Sequence, residues 1–298
     1  MKESPELSPA QLLRLLFFAI ALFMAGALLK EVLMRVRRPP VDERCLARYE
    51  RIFALDELRF TVAFGYKDAR PARFVGDRYE KALLVQRLLK TCPKEAPEGA
   101  CGFARSLLDA NLLEREVFAP DNQKRKLVLE IIHASAGPDD QENRENPFQK
   151  WLSENARERF LEGVRKSTVV LYNGHSRVGG GPDFRAPRIN SNGAILYDDY
   201  RIEEAGLKSL LAALAAPGTE VEVLGLLSCA SSQLFEKRLH LTKKNLAVWS
   251  SRELLYFADA LEDSWNFLDA LIRKECHPRF EKITSARSGM AGSKLSGF

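Results

Sequence analysis

Thr168-Val169-Val170-Leu171-Tyr172-Asn173-Gly174-His175-Ser176-Arg177 is the stretch on which the fold turns. Its first five residues are β-branched or apolar, without polar alternation, and the turn pair Asn173-Gly174 stops them. A run this short and this uniformly apolar reads as a strand buried on both faces, the habit of parallel sheets. A second run, Val221-Glu222-Val223-Leu224-Gly225-Leu226-Leu227, ends at Ser228-Cys229 in the same way. Three more strands are expected at 58–66, 126–133 and 245–250.

Helical patterns fill the intervals. They cover 77–91, 102–113, 148–165 behind Pro147, 203–216 before Pro217-Gly218, 233–241 and 252–274. A short strand or hairpin is expected at 194–200. Strands alternating with helices predict an α/β three-layer sandwich with a mostly parallel sheet, covered on both faces. Functional groups in such sheets sit on loops at the carboxyl ends of the strands.

The chain has 298 residues, 46% hydrophobic and 29% charged, which suits one large domain with an extra segment and excludes wholesale disorder. Its 45 basic and 40 acidic side chains are mixed along the sequence, giving a net charge of +5. That is no footprint for nucleic acid, so no nucleic-acid partner is expected.

From Leu15 to Leu29 every residue is apolar or Gly, between Arg14 and Lys30. Fifteen helical residues reach only about 22 Å of a hydrocarbon core of about 30 Å. Leu12, Leu13 and Val32-Leu33-Met34, with snorkelling Arg14 and Lys30, extend the reach to a full span. The expected organisation is therefore a tail at 1–11, an uncleaved transmembrane helix at 12–36 and a linker and entry segment at 37–57, where Pro39-Pro40 marks the boundary between anchor and domain. An α/β domain at 58–282 and a flexible tail at 283–298 follow. The alternative for 12–36 is a signal peptide, with Ala25-Gly26-Ala27 as the small-residue cleavage site. The expected location is a single-pass membrane protein.

Two signals disagree about sidedness. Arg35, Arg37 and Arg38 behind the apolar run favour a cytoplasmic domain. The five cysteines favour the exported side, which is the reading adopted. Cys92 and Cys101 flank a short loop suited to a disulfide, and Cys45 with Cys276 would make a second bridge that leaves Cys229 as a free thiol. Five reduced thiols are the competing reading.

Two strands end in reactive side chains, His175 and Cys229. One loop, a hairpin and a crossover helix lie between them, and a right-handed crossover sets the two strands side by side. An imidazole and a thiol would then share one rim of the sheet. Cys229 would attack a carbonyl carbon as thiolate, and His175 would support thiolate formation or protonate the leaving amine.

An apolar strand ending in His, followed by another ending in Cys, resembles the caspase, clostripain and gingipain superfamily of cysteine peptidases. The resemblance covers most of the domain through its strand and helix order. It implies a caspase-like fold, a His175–Cys229 dyad, a peptide or protein substrate and an oxyanion hole from the backbone amides of Ser176 and Cys229. Those peptidases usually have Gly directly after the His; Ser176 keeps the N–H and adds a side chain. The alternative is a catalytically inactive caspase-like binding or scaffold module at the membrane.

The loop after His175 holds Arg177, Gly179, Gly180, Gly181 and Asp183, expected to wall the substrate cleft. Arg177, Arg185 and Arg188 suit an acidic side chain, whereas Asp183, Asp198 and Asp199 suit a basic one. No Gly-Lys-Ser/Thr follows the glycines, so no nucleotide loop is expected. His133 ends the second strand near Asp139 and Asp140, as a cap or an outer residue of the site. The remaining histidines, His240 and His277, have no metal-ligand spacing, so neither a metal nor another cofactor is expected.

Overall fold

The computed structural model describes residues 43–67, 76–95, 97–276 and 293–298. An eight-stranded sheet runs through the domain in the order β2-β3-β4-β1-β5-β6-β7-β8. In chain order the strands are β1 (Glu57–Phe64), β2 (Ala104–Arg105), β3 (Leu112–Phe118), β4 (Lys124–His133), β5 (Val169–Asn173), β6 (Val223–Leu227), β7 (Ala247–Ser251) and β8 (Ser293–Ser296). The five strands legible as apolar runs are the parallel centre, β4-β1-β5-β6-β7, and β2, β3 and β8 add antiparallel edges. The chain steps from β1 outward to β4 and then back across to β5, so the strand order reverses beside β1, where such sheets open their crevice.

Each face of the sheet carries its own apolar cluster. Leu58, Phe60, Val62 and Phe64 of β1 alternate onto one face and meet α1 (Glu43–Ile52), α2 (Asp77–Leu88) and α8 (Phe257–Ile272). Ala63, Val170, Tyr172, Leu224 and Leu226 lie on the other, under α4 (Gln149–Lys166), α6 (Ala205–Leu214) and α7 (Ser231–Thr242). Two short helices, α3 (Asp140–Glu145) and α5 (Tyr197–Glu203), lie in the connections. At Gly225 a Cβ would stand 2.4 Å from the Leu171 side chain and 3.3 Å from the Phe267 ring of α8, so glycine there makes room for both.

The structure departs from the sequence reading in several places. The helix expected at 102–113 is the β2–β3 hairpin, because Leu113 and Val117 alternate inward against β4 and Asp109 accepts the Asn111 N–H at 2.8 Å in a local turn. The expected 203–216 helix is broken at Glu204, which is left-handed at φ 47°. The final helix starts at Phe257 rather than 252, which frees residues 252–256 as a loop.

Part of the expected linker is α1, whose Cys45, Tyr49 and Ile52 enter the core. Part of the tail expected to be flexible is β8, where Leu295 is buried against Trp249 of β7. Buried Arg48 joins the two by donating to the carbonyls of Glu222, Asn245 and Gly297 at 2.9, 2.7 and 2.5 Å. Disulfides link Cys45 to Cys276 and Cys92 to Cys101, and Cys229 keeps a free thiol. Among the described residues no helix is long and apolar enough to cross a membrane. The run at 12–36 lies outside them, as do His277 and most of the expected tail.

Candidate active site

Asn173 and Leu227 are register partners on adjacent parallel strands, and the Gly174 N–H extends that ladder to the Leu227 carbonyl at 3.1 Å. His175 and Cys229 follow two residues beyond each partner, so the side-chain alternation keeps both on the face covered by α8. They line one cavity of about 180 Å³ together with Lys67, Leu227, the 254–257 segment and Ala260. The His175 ring meets the Phe257 ring edge-on at 5.9 Å, and the Cys229 thiol donates to the Leu255 carbonyl at 3.8 Å. A larger cavity, about 420 Å³, opens elsewhere on the domain among Glu57, Glu130, Arg159 and Lys166 and contains none of the expected site residues.

A sharp turn presents Cys229. Ala230 is left-handed at φ 52° and ψ 28°, a conformation that costs a non-glycine residue about 1–2 kcal/mol and that recurs where function requires it. Hydrogen bonds hold the turn: Ala230 N–H to the Glu253 carbonyl at 2.8 Å, Ser231 Oγ to the Leu226 carbonyl at 2.6 Å, and Ser251 N–H to Ser231 Oγ at 2.8 Å. The loop at 252–256 is thereby tied to the thiol-bearing turn. Among the described residues, the backbone N–H groups of Ser176 and Cys229 have no protein acceptor, which leaves both available to an oxyanion.

The segment after His175 is arranged differently from its reading as a cleft wall. Buried Arg177 donates from Nε to Asp183 at 3.0 Å, with its guanidinium 5.5 Å from the Tyr200 ring. Gly179 is buried beside it, and a Cβ on Gly181 would stand 2.6 Å from the His175 carbonyl, so that glycine serves internal close packing. Gly180 and Asp183 line a separate cavity of about 320 Å³ with Arg157, Arg185, Arg188 and Tyr200. Arg188 pairs with Glu203 at 2.7 Å and Asp199 at 3.8 Å, Asp198 with Arg201 at 2.8 Å, and Arg185 with Glu154 at 3.5 Å. None of these charges lines the His175–Cys229 cavity.

Two groups at the site escaped the sequence reading. Tyr172 places its hydroxyl 3.1 Å from the His175 carbonyl and 3.0 Å from that of Asp183, and accepts the Asp183 N–H at 2.9 Å. It fixes the backbone on both sides of the loop, and burial pushes its hydroxyl well above the ordinary tyrosine range. The only available signal was Gly65 and Gly174, whose missing side chains make room for that hydroxyl.

The second is Lys67, whose buried ammonium donates to Glu80 and, at 2.7 Å, to Asn173 Oδ1. Asn173 in turn donates to Ser264 of α8 at 2.9 Å, and the Lys67 ammonium sits 4.8 Å from the Phe257 ring. Burial raises the Glu80 carboxyl while Lys67 pulls it back. Nearby, buried Asp77 accepts the N–H groups of Ala134 and Ser135, both at 2.7 Å, and the Ser135 hydroxyl, joining α2 to the end of β4.

His133 lies away from the His175–Cys229 cavity, with Nδ1 3.4 Å from the Lys81 ammonium. Burial first, then Lys81 and Arg78, lowers it from 6.5 to about 3, so the folded protein holds it neutral. Asp139 caps α3 by accepting the Glu142 N–H at 2.8 Å, and Asp140 accepts the Tyr66 hydroxyl at 2.6 Å. Because unfolded His133 takes a proton below pH 6.5 and the folded form does not until about 3, its contribution to stability falls as pH drops through that window. The slope is about 1.4 kcal/mol per pH unit. His133→Gln is therefore expected to lose about 2–3 kcal/mol less than the wild type between pH 7 and pH 4.5 in urea titrations; equal losses would refute the assignment.

No protein-family model matches this chain, and no curated protein matches it. The site's chemistry is read from its geometry.

Proposed function

We propose that the protein is a cysteine peptidase of caspase-like architecture, tethered to a membrane by residues 12–36 with its catalytic domain on the exported side. The observation that carries the reading is the shared cavity of His175 and Cys229 at the carboxyl ends of neighbouring parallel strands, with Cys229 the one thiol outside the two disulfides. The disulfides themselves support an oxidising compartment.

In the reaction the Cys229 thiolate attacks the scissile carbonyl carbon, forming a C–S bond, and the oxyanion takes the free N–H groups of Ser176 and Cys229. Collapse breaks the C–N bond as imidazolium His175 gives its proton to the leaving amine. Water, deprotonated by His175, then attacks the thioester; the acid leaves and the thiolate returns. The fold also suits a second reading, an inactive binding module, favoured by Ser176 in place of glycine and by a thiol directed at the Leu255 carbonyl.

Peptide acyloxymethyl ketones separate the two. The wild type is expected to be labelled at Cys229, with labelling abolished in Cys229→Ala and reduced at least about 100-fold in His175→Ala, the scale of a lost general acid–base. A folded wild type that no peptide probe labels would establish the binding module instead.

A further inference from the structure

We propose that the cavity beside Cys229 is a specificity pocket for one apolar side chain of the substrate, next to the scissile bond; this rests on the peptidase reading above. Its walls are Leu227, Leu254, Leu255, Tyr256, Phe257 and Ala260, with the thiol and the imidazole opening into the same space. At about 180 Å³ it falls below the roughly 300–1,000 Å³ of sites for whole small molecules, and suits a single side chain. Leu254 and Tyr256 stand at its edge 58% and 53% exposed, apolar surface left in water on the loop tied to the thiol-bearing turn.

The charges of the molecule favour this occupant over a charged one. Lys67 is the fixed charge in the lining; its side chain is 1% exposed, and its ammonium is already held by Glu80 and Asn173 and covered by Phe257. An acidic side chain would have to shed its water and compete with Glu80 for a cation that already has a counterion. A basic side chain would meet Lys67 itself. The arginines and aspartates between Arg177 and Asp199 pair with protein partners away from this cavity.

The test uses the full chain and methanethiosulfonates bearing benzyl, sulfonatoethyl or trimethylammonioethyl groups. Cys229 modification is followed by intact mass, each rate divided by that of glutathione. Benzyl is expected to react at least about 10-fold faster than either charged reagent, the discrimination typical of an apolar pocket. Leu254→Glu, at the exposed rim where folding is undisturbed, is expected to cut that preference several-fold. A parallel panel of peptide acyloxymethyl ketones is expected to label fastest with Leu or Phe beside the reactive group.

A charged thiosulfonate that reacts as fast as benzyl, or peptide labelling that prefers Asp or Arg, would overturn the apolar pocket and leave the peptidase reading standing. Benzyl preference without labelling by any peptide would overturn the peptidase reading, and the substrate pocket with it.

Discussion

Lys67→Met is expected to destabilise the domain by about 3–5 kcal/mol, the cost of breaking a buried ion pair from one side. The Lys67 and Glu80 side chains are 1% and 4% exposed, and the Glu80 Oε1 atom is buried with no hydrogen-bond partner among the described residues. Lys67 is therefore what compensates that carboxylate. Without it the carboxyl must either stay charged in an apolar setting or take up a proton. The sign of the pH effect follows. In Lys67→Met the folded-state pKa of Glu80 rises further above its unfolded value, so stability is lost as pH rises and the deficit against wild type shrinks on acidification.

Lys67→Met/Glu80→Leu, which removes both charges at similar volume, is expected to recover most of the loss. Urea titrations of the two single variants and the double variant close the cycle. If the double variant loses the sum of the singles, Lys67 and Glu80 are not a coupled pair. The Asn173 contact joins the pair to the proposed site, because Asn173 precedes the His175 turn and anchors it to Ser264 of α8. Labelling of Cys229 in the double variant is expected to slow even where stability returns.

The second large effect belongs to Cys45–Cys276. The bond closes a loop of 231 residues, and by chain entropy that length corresponds to about 5 kcal/mol of stabilisation. The Cys92–Cys101 bond spans only 9 residues and corresponds to about 2.5 kcal/mol. Replacing both cysteines of a pair by alanine should therefore cost about twice as much at Cys45/Cys276 as at Cys92/Cys101 in chemical denaturation. An inverted order would mean that the long-range bond does little to constrain the unfolded chain. The native contacts it accompanies also tie the first helix of the domain to its C-terminal segments, through the Tyr49 hydroxyl donating to the Glu275 carbonyl at 2.6 Å and the Phe298 ring 5.4 Å from that of Tyr49.

The central sheet was legible from the sequence for a physical reason. Residues 169–172 and Val223–Leu227 are buried, with strands on either side, so an unbroken apolar run was required of them, and the runs stand out without tertiary information. His175 and Cys229 reach one rim because β5 and β6 run parallel, and they adjoin because consecutive strands of such sheets usually pair.

Edge elements were a different matter. Leu112–Phe118 mixes charged and apolar residues because one side faces water, and its pairing with β4 is what makes it a strand. The strand Ser293–Ser296 has only Leu295 to bury, and Trp249 of β7 supplies the place.

Sequence alone determined the layers, the parallel centre and the two reactive strand ends, since these depend on local apolar patterning and chain chirality. Tertiary structure decided the rest. It paired Lys67 with Glu80 and Asn173 across 13 and 106 residues, turned the expected recognition charges onto one another, and brought residues 254–257 over Cys229. Those outcomes depend on which surfaces remain open once the helices have settled on the sheet, and that is a property of the packed molecule, absent from any single stretch of chain.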